Sequence, residues 1–267
     1  MRLNIVVCIK QVPHPEHFHE IKLDPESQTI NRRGIPAILN PPDKHALEEA
    51  LQLKERYGGT ITAVSMGPPE ASQIMEEAYA LGVDRSILLC DPLFAGADTL
   101  ATARALAIGI QRLGEVDLIL CGTHSMDGAT GQVGPQLAEI LGFPFIGFVR
   151  KMEIQERGTV LAERTIERGY LKVEGSLPLV LSVTKEINTP RLPTVIGIME
   201  ATQKEIYTWD TKELGIDPAL VGIEGSPTRV SGIFERRLSR KGELLQGDPE
   251  EVIRKAIKRL RELEALR

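Results

Sequence analysis

Between Leu120 and Gly134 the sequence reads LCGTHSMDGATGQVG, an apolar run that passes into glycine, serine and threonine and then into a helix start. Residues of these types in this order suit an anion: glycines let backbone N–H groups approach, and the first amides of a helix, with its dipole, favour negative charge. Gly128, Gly131 and Gly134 permit the approach, while Thr130 and Gln132 offer side-chain hydrogen bonds. Steric need alone also produces glycine-rich turns, so the segment by itself leaves both readings open. Asp127 repels a phosphate, which points it toward loop geometry or toward a ribose or base.

A second segment, Gly96-Ala97-Asp98-Thr99-Leu100-Ala101-Thr102, places Thr99 and Thr102 in the first turn of a helix. Their hydroxyls and the free amides there can hold a diphosphate; the alternative is that Asp98 simply caps the helix. His14, His17 and His19 form H-x2-H-x-H in a polar stretch, with no thiol nearby and no matching ligand downstream, and so read as solvated side chains. Cys8, Cys90 and Cys121 form no CxxC pair, and each ends an apolar run, as buried thiols of a reducing cytoplasm do. Walker A, GxSxG and HExxH sequences are absent, as is GxGxxG after the first strand.

The elements that must position these residues follow from periodicity. Apolar β-branched runs at Asn4–Ile9, Ile61–Met66, Ser86–Leu89 and Leu118–Cys121 alternate with helical stretches. The helices open after Asn40-Pro41-Pro42, at about Pro69, at Asp98 or Thr99, and near Gln132, and glycines stop them. This order predicts an α/β fold, a doubly wound parallel sheet, with ligand in the crevice beyond the strand C-termini. Three loops face that crevice: Cys8–Lys10, Met66-Gly67-Pro68 and Gly122–Gly134. From Gly147 to Thr184 short alternating strands predict a flanking strand meander, with Leu179–Val183 returning to the main sheet. A proline-marked loop follows at Ile187–Arg191. Ser226–Leu245 reads as an extended arm, and Asp248-Pro249-Glu250-Glu251 opens a last amphipathic helix carrying Val252, Ile253, Ala256, Leu260 and Leu263.

The 267 residues suffice for one substantial core with appended elements, and the composition is that of a globular protein. A formal net charge of −5 argues against nucleic acid as a partner, because reading phosphates takes clustered Lys and Arg. The apolar run at the N-terminus ends by Lys10, too early for a signal sequence or a membrane span.

Five segments in one order and spacing, VVCIKQVP, LNPPDKHALEEALQLKE, AVSMGPP, LILCGTHSMDGATGQVGPQLAEILG and INTPRLPTVIGIMEA, resemble the β subunits of electron transfer flavoproteins. The likeness covers most of residues 1–201 and implies a sheet of adenine-nucleotide α-hydrolase-like type, binding AMP in ordinary members and FAD in electron-bifurcating ones. GADTLATARALA resembles the bifurcating group, in which the threonines hold the FAD diphosphate and NADH is the electron donor. Carried over, Cys8 and Met66 line the adenine end, Asn40 and Asp43 fix adenosine, and Gly122 through Gly134, with Asp127, Thr130, Gln132 and Val133, wrap ribose and phosphate. Residues 187–199 resemble a docking loop for a dehydrogenase or quinone oxidoreductase, with Asn188, Pro190 and Arg191 in it and Val195 where an anchoring leucine is usual. Thr123-His124-Ser125 departs from the family's basic residue, Gln and Ala, so a positive charge is missing there. The resemblance further implies an α subunit as partner, held by residues 202–267 through arm and helix, and a cytoplasmic complex that meets a membrane only through other subunits.

Overall fold

The computed structural model describes residues 2–23, 30–31, 34–155, 158–231, 242 and 244–263. The chain divides into two compact units, Met1–Gly232 and Ile233–Arg267. In the first, β1 (Leu3–Cys8) leads through the short strands β2 (Gln11–Pro13), β3 (Lys22–Leu23), β4 (Ile30–Asn31) and β5 (Ala37–Leu39) to α1 (Pro41–Tyr57). Then come β6 (Gly59–Met66), α2 (Ser72–Leu81), β7 (Arg85–Leu89), α3 (Thr99–Gln111), β8 (Leu118–Gly122) and α4 (Val133–Leu141). Strands β9 (Phe145–Ile154), β10 (Thr159–Ile166), β11 (Gly169–Ser176) and β12 (Leu179–Val183) follow, and α5 (Val195–Ala201), β13 (Ile206–Trp209) and α6 (Thr211–Leu214) complete the unit.

Among the described residues nine strands form one sheet, ordered β11-β10-β9-β12-β8-β1-β6-β7-β13. All neighbours are parallel except β9, β10 and β11, which form the antiparallel meander. The alternation of β1 divides the core in two: Leu3, Ile5 and Val7 face α1 and α2, while Val6 and Cys8 face α3 and α4. Burial on both sides is why these strands read as continuous apolar runs. Helix α3 buries alanine after alanine (Ala101, Ala103, Ala105, Ala107), small side chains that let it lie close to the sheet and to α4. The four expected central strands and the doubly wound order are thus present, and Leu179–Val183 does return, wedged as β12 between β8 and β9.

The first unit runs past the boundary at 201 that the sequence pattern suggested. Strand β13 pairs with β7 from Ile206↔Ser86 to Trp209↔Leu89 and extends the sheet. It is pinned by Tyr79, whose hydroxyl donates to the Glu205 carbonyl at 2.6 Å and accepts from the Ser86 N–H at 2.9 Å. The start of the expected arm is docked as well: Ser226 is buried, and Thr228 donates through N–H and hydroxyl to Asp98 at 3.0 and 2.7 Å. Much of the remaining arm, residues 232–241 and 243, lies outside the described residues. In the second unit α7 (Pro249–Glu262) is capped by Asp248, with Glu250 and Glu251 in its first turn and Arg259 and Arg261 in its last, a charge order that favours the helix dipole. None of its residues is buried, although Ile253, Ile257, Leu260 and the following Leu263 make an apolar stripe. No helix among the described residues is long and apolar enough to cross a membrane.

Tyr79→Phe removes an acceptor from the buried Ser86 N–H and a donor from the Glu205 carbonyl and is expected to cost about 1–3 kcal/mol. Urea unfolding measures the cost, and hydrogen exchange should show the gain in mobility confined to β13 and its neighbour β7.

Candidate functional site

The strand order reverses at β1: the chain builds β6 and β7 to one side and returns to lay β8 on the other. Loops leaving the C-termini of β1 and β8 therefore part at this point and leave a crevice. Three side chains stitch it. Asp43, buried in the first turn of α1, accepts the Lys10 N–H at 2.9 Å with one oxygen and the Gly122 N–H at 3.0 Å with the other. Asn40, the residue before α1, donates to the His124 carbonyl at 3.0 Å and accepts the Met126 N–H at 3.1 Å. Lys10 reaches across with its ammonium to both carboxylate oxygens of Asp127, at 2.8 and 2.9 Å, and toward Ser125 Oγ at 3.5 Å. Asn40 and Asp43, expected to fix adenosine, spend these polar groups on the backbone of the loop.

The loop after β8 thus has an anchored half, 122–127, and an exposed half, Gly128 to Gln132. In the exposed half Gly131 sits at φ 63°, and Ala129 at φ 52°, a conformation that costs a residue with a Cβ about 1–2 kcal/mol. Thr99 Oγ1 donates to Gln132 Oε1 at 3.2 Å, so the start of α3 and the glycine-rich loop, far apart in sequence, share one rim. Thr102 lies half-buried on the next turn position. Two of the amides expected to be free at this helix end are taken: Asp98 accepts the N–H groups of Leu100 and Ala101, both at 3.0 Å. Burial pushes the Asp98 carboxyl up, but hydrogen bonds from Ala101, Thr228 and Leu100 outweigh it and hold its pKa below the ordinary value. A phosphate here would meet hydroxyls and the glycine-loop backbone, and the donor set of Thr99, Thr102, Ser125, Thr130 and Gln132 fits such a group.

Cys8 and Cys121 lie opposite each other across β1 and β8, both buried, whereas Cys90, just past β7, is half-buried rather than enclosed. Burial, reinforced by Asp43, pushes the Cys8 thiol up to about 12, and burial likewise raises Cys121, so both stay protonated at neutral pH and serve as packing atoms. Met66 ends β6 and packs with the α3 and α4 side of the core; Gly134 lets α4 start close above Cys121 Sγ, 3.0 Å from where its Cβ would be. Val133 opens α4. His17 pairs with Glu20 at 2.7 Å, and His14 accepts the Glu16 N–H at 3.4 Å, local contacts within one exposed turn.

The proline-marked loop is fastened to the outer turns of α1. Arg191 grips Glu48 with two guanidinium nitrogens, at 2.8 and 3.0 Å, and reaches Glu55 at 2.5 Å. Asn188 donates to the His45 carbonyl at 3.0 Å and to Glu49 at 3.1 Å. Pro190 lies half-buried between them. Of the four residues expected to dock a partner, Asn188 and Arg191 are therefore committed to holding the loop. Exposure falls instead on Val195 (76%) with Leu192 (86%), Ile196 (69%) and Met199 (66%), an apolar ridge at the start of α5.

Glu48 and the side chain of Lys10 are positions to which motif reading gave no role, although Lys10 stood in the crevice loop Cys8–Lys10. Lys10 carried a signal, since a lysine directly after the first strand must stand at the crevice; Glu48 carried none, because its partner is 143 residues away. Burial pushes the Asp43 carboxyl up to about 7, against the lowering effect of hydrogen bonds from Asn40, Gly122 and Lys10 and of the Lys10 charge. The folded state therefore holds this proton more tightly than the unfolded chain, so the contribution to stability is complete below about pH 4 and is lost as pH rises to about 7. Denaturant titrations of wild type and Asp43→Asn are expected to show the difference in unfolding free energy shift by on the order of 4 kcal/mol over that window, to the relative disadvantage of wild type at high pH. Gly122→Ala would bring a Cβ to 2.5 Å from Asp43 Oδ1 and 2.6 Å from Pro42 Cβ. It should destabilise by about 1–3 kcal/mol in the same assay.

Residues 28–214 match the family described as electron transfer flavoprotein domain. The chain is 42% identical, over 97% of its length and 98% of the relative's, to the electron transfer flavoprotein subunit beta of Thermoanaerobacterium thermosaccharolyticum. It is 41% identical, over 92% of each chain, to the caffeyl-CoA reductase-Etf complex subunit CarD of Acetobacterium woodii. To Protein FixA of Azotobacter vinelandii it is 38% identical, over 97% of its own length and 94% of the relative's. With the sheet order and the crevice at β1, these likenesses identify the chain as a member of the electron transfer flavoprotein family, on its β-subunit branch, with a part in electron transport.

Proposed function

We propose that the crevice between β1 and β8 binds FAD through its adenosine diphosphate part, and that the chain works as the small subunit of a bifurcating heterodimer with an α subunit. When bound, FAD supplies acceptance of a hydride from NADH and division of the electron pair between a low-potential acceptor and a high-potential, quinone- or acyl-CoA-linked one. The chain's own residues bind and orient. Gly128 to Gly134 offer backbone N–H groups to ribose and phosphate, Thr99 and Thr102 offer hydroxyls to the diphosphate, and Cys8 and Met66 form the apolar end for adenine. The observation that carries this reading is the 3.2 Å contact from Thr99 to Gln132, which joins the second polar segment to the glycine-rich loop. The name of the Acetobacterium woodii relative, a subunit of a caffeyl-CoA reductase-Etf complex, supports an acyl-CoA-linked partner.

A second reading, AMP as a structural nucleotide, is favoured by Asp98: its carboxylate occupies two amides at the α3 terminus and brings negative charge beside the place of a second phosphate. For either nucleotide, the ridge of Leu192, Val195, Ile196 and Met199 serves as the docking surface for a dehydrogenase or quinone oxidoreductase. The apolar stripe of α7, in residues 233–267, grips the α subunit.

Counting nucleotides released by acid from the purified heterodimer tests the proposal. Two FAD per heterodimer is the expected result, and one FAD with one AMP leaves only the second reading. Thr99→Val and Thr102→Val are each expected to weaken FAD at this site by about 1–3 kcal/mol, the value of a hydrogen bond to a charged oxygen. Unchanged flavin content in both variants would remove the threonines from the site.

A further inference from the structure

The anchored half of the glycine-rich loop ends on an acid. Asp127 is only 2% exposed, whereas Lys10, whose ammonium touches both its oxygens, is 39% exposed. The carboxylate is thus covered by protein and the cation stands at the rim. A covered carboxylate beside the crevice opposes any anion that enters, because little water screens it. Thr123, at the start of the same loop, adds no positive charge, and its hydroxyl engages His124 Nδ1 at 3.0 Å.

The base of Lys10 is itself fixed. Its N–H is held by Asp43 at 2.9 Å, and its carbonyl accepts the Asn40 N–H at 2.9 Å. From that point its side chain spans the reversal of the sheet and meets residues 125 and 127 directly ahead of the exposed half of the loop. We infer that Lys10 is a positioning residue for the nucleotide: it cancels the charge of Asp127 and fixes the last anchored turn, so that residues 128–132 can receive an anionic phosphate. The inference rests on the nucleotide reading above and adds to it the residue that makes an acidic loop compatible with that ligand.

A direct contact between Lys10 and phosphate would also make the lysine necessary, and a double variant separates the two roles. The purified heterodimer, stripped of nucleotide, is titrated with AMP and with FAD by equilibrium dialysis. Lys10→Met is expected to weaken binding by at least about tenfold, and Lys10→Arg, which keeps a cation for the carboxylate, by no more than about threefold. Lys10→Met combined with Asp127→Asn should recover most of the loss, because no charge is left to cancel. Hydrogen exchange of amides 123–132 in nucleotide-free Lys10→Met should rise above wild type.

Wild-type affinity in Lys10→Met, with wild type binding normally, would overturn the positioning role and leave the nucleotide reading standing. A double variant as weak as Lys10→Met would mean direct ligand contact and equally overturn it. Wild type that binds neither AMP nor FAD would overturn both. Should Lys10→Met fail to fold, Asp127→Asn alone decides: binding equal to or tighter than wild type supports the role, and a tenfold loss overturns it.

Discussion

One carboxylate beneath the crevice determines where the rest of the site stands. Asp43 takes one N–H from the end of β1 and one from the end of β8, at the place where the ladder between those parallel strands stops and their loops diverge. Two strand ends that would otherwise fray are joined through a side chain from a third element. The arrangement is costly, since burying a carboxylate away from water disfavours its charge, and the N-terminal dipole of α1 and the nearby ammonium of Lys10 offset part of that cost. It also demands a residue without a side chain at Gly122, because the space for a Cβ is filled by Asp43 and Pro42. Each later tie, from Asn40 to the loop backbone and from Lys10 to Asp127, depends on this first one for its starting coordinates.

Helix α1 is the common strut of two surfaces. Its first turn, with Asn40 just ahead of it, serves the crevice, and His45, Glu48, Glu49 and Glu55 on later turns hold the loop that carries Asn188 and Arg191. The ion pairs there are partly open to solvent, so their contribution to stability is modest. Their geometric value is larger, since a two-pronged guanidinium grip sets orientation as well as distance. What they orient is the exposed apolar ridge at Leu192 and Val195.

The parts of this fold that could be read from the sequence are those governed by local rules. Runs such as Ile61–Met66 declare a strand buried on both faces, and Pro41 ahead with Gly58 behind bracket α1. The glycine-rich segment after Leu120 was visible because glycine spacing is a one-dimensional property. What escaped was pairing over distance: Lys10 with Asp127, Arg191 with Glu48, Asp98 with Thr228. No periodicity encodes such pairs. The same holds for β13, whose four residues are too few to show alternation and become a strand only because β7 offers an unpaired edge. Asn40 and Asp43 came from the family resemblance, as contacts to adenosine, and in the structure their polar groups hold loop backbone.

The position of β12 has a consequence for how the protein comes into being. In the finished sheet it separates β8 from β9, yet it leaves the ribosome after β9, β10 and β11. Until residues 179–183 emerge, β8 and β9 each present an unfilled edge of apolar strand, and the meander has nothing to lean on. The growing chain must therefore carry more than half its length with the centre of its sheet incomplete, a period in which open strand edges invite pairing with other chains. Insertion of β12 is thus a late event during synthesis, and β13 with the core residues Leu214, Ile216 and Val221 emerges later still.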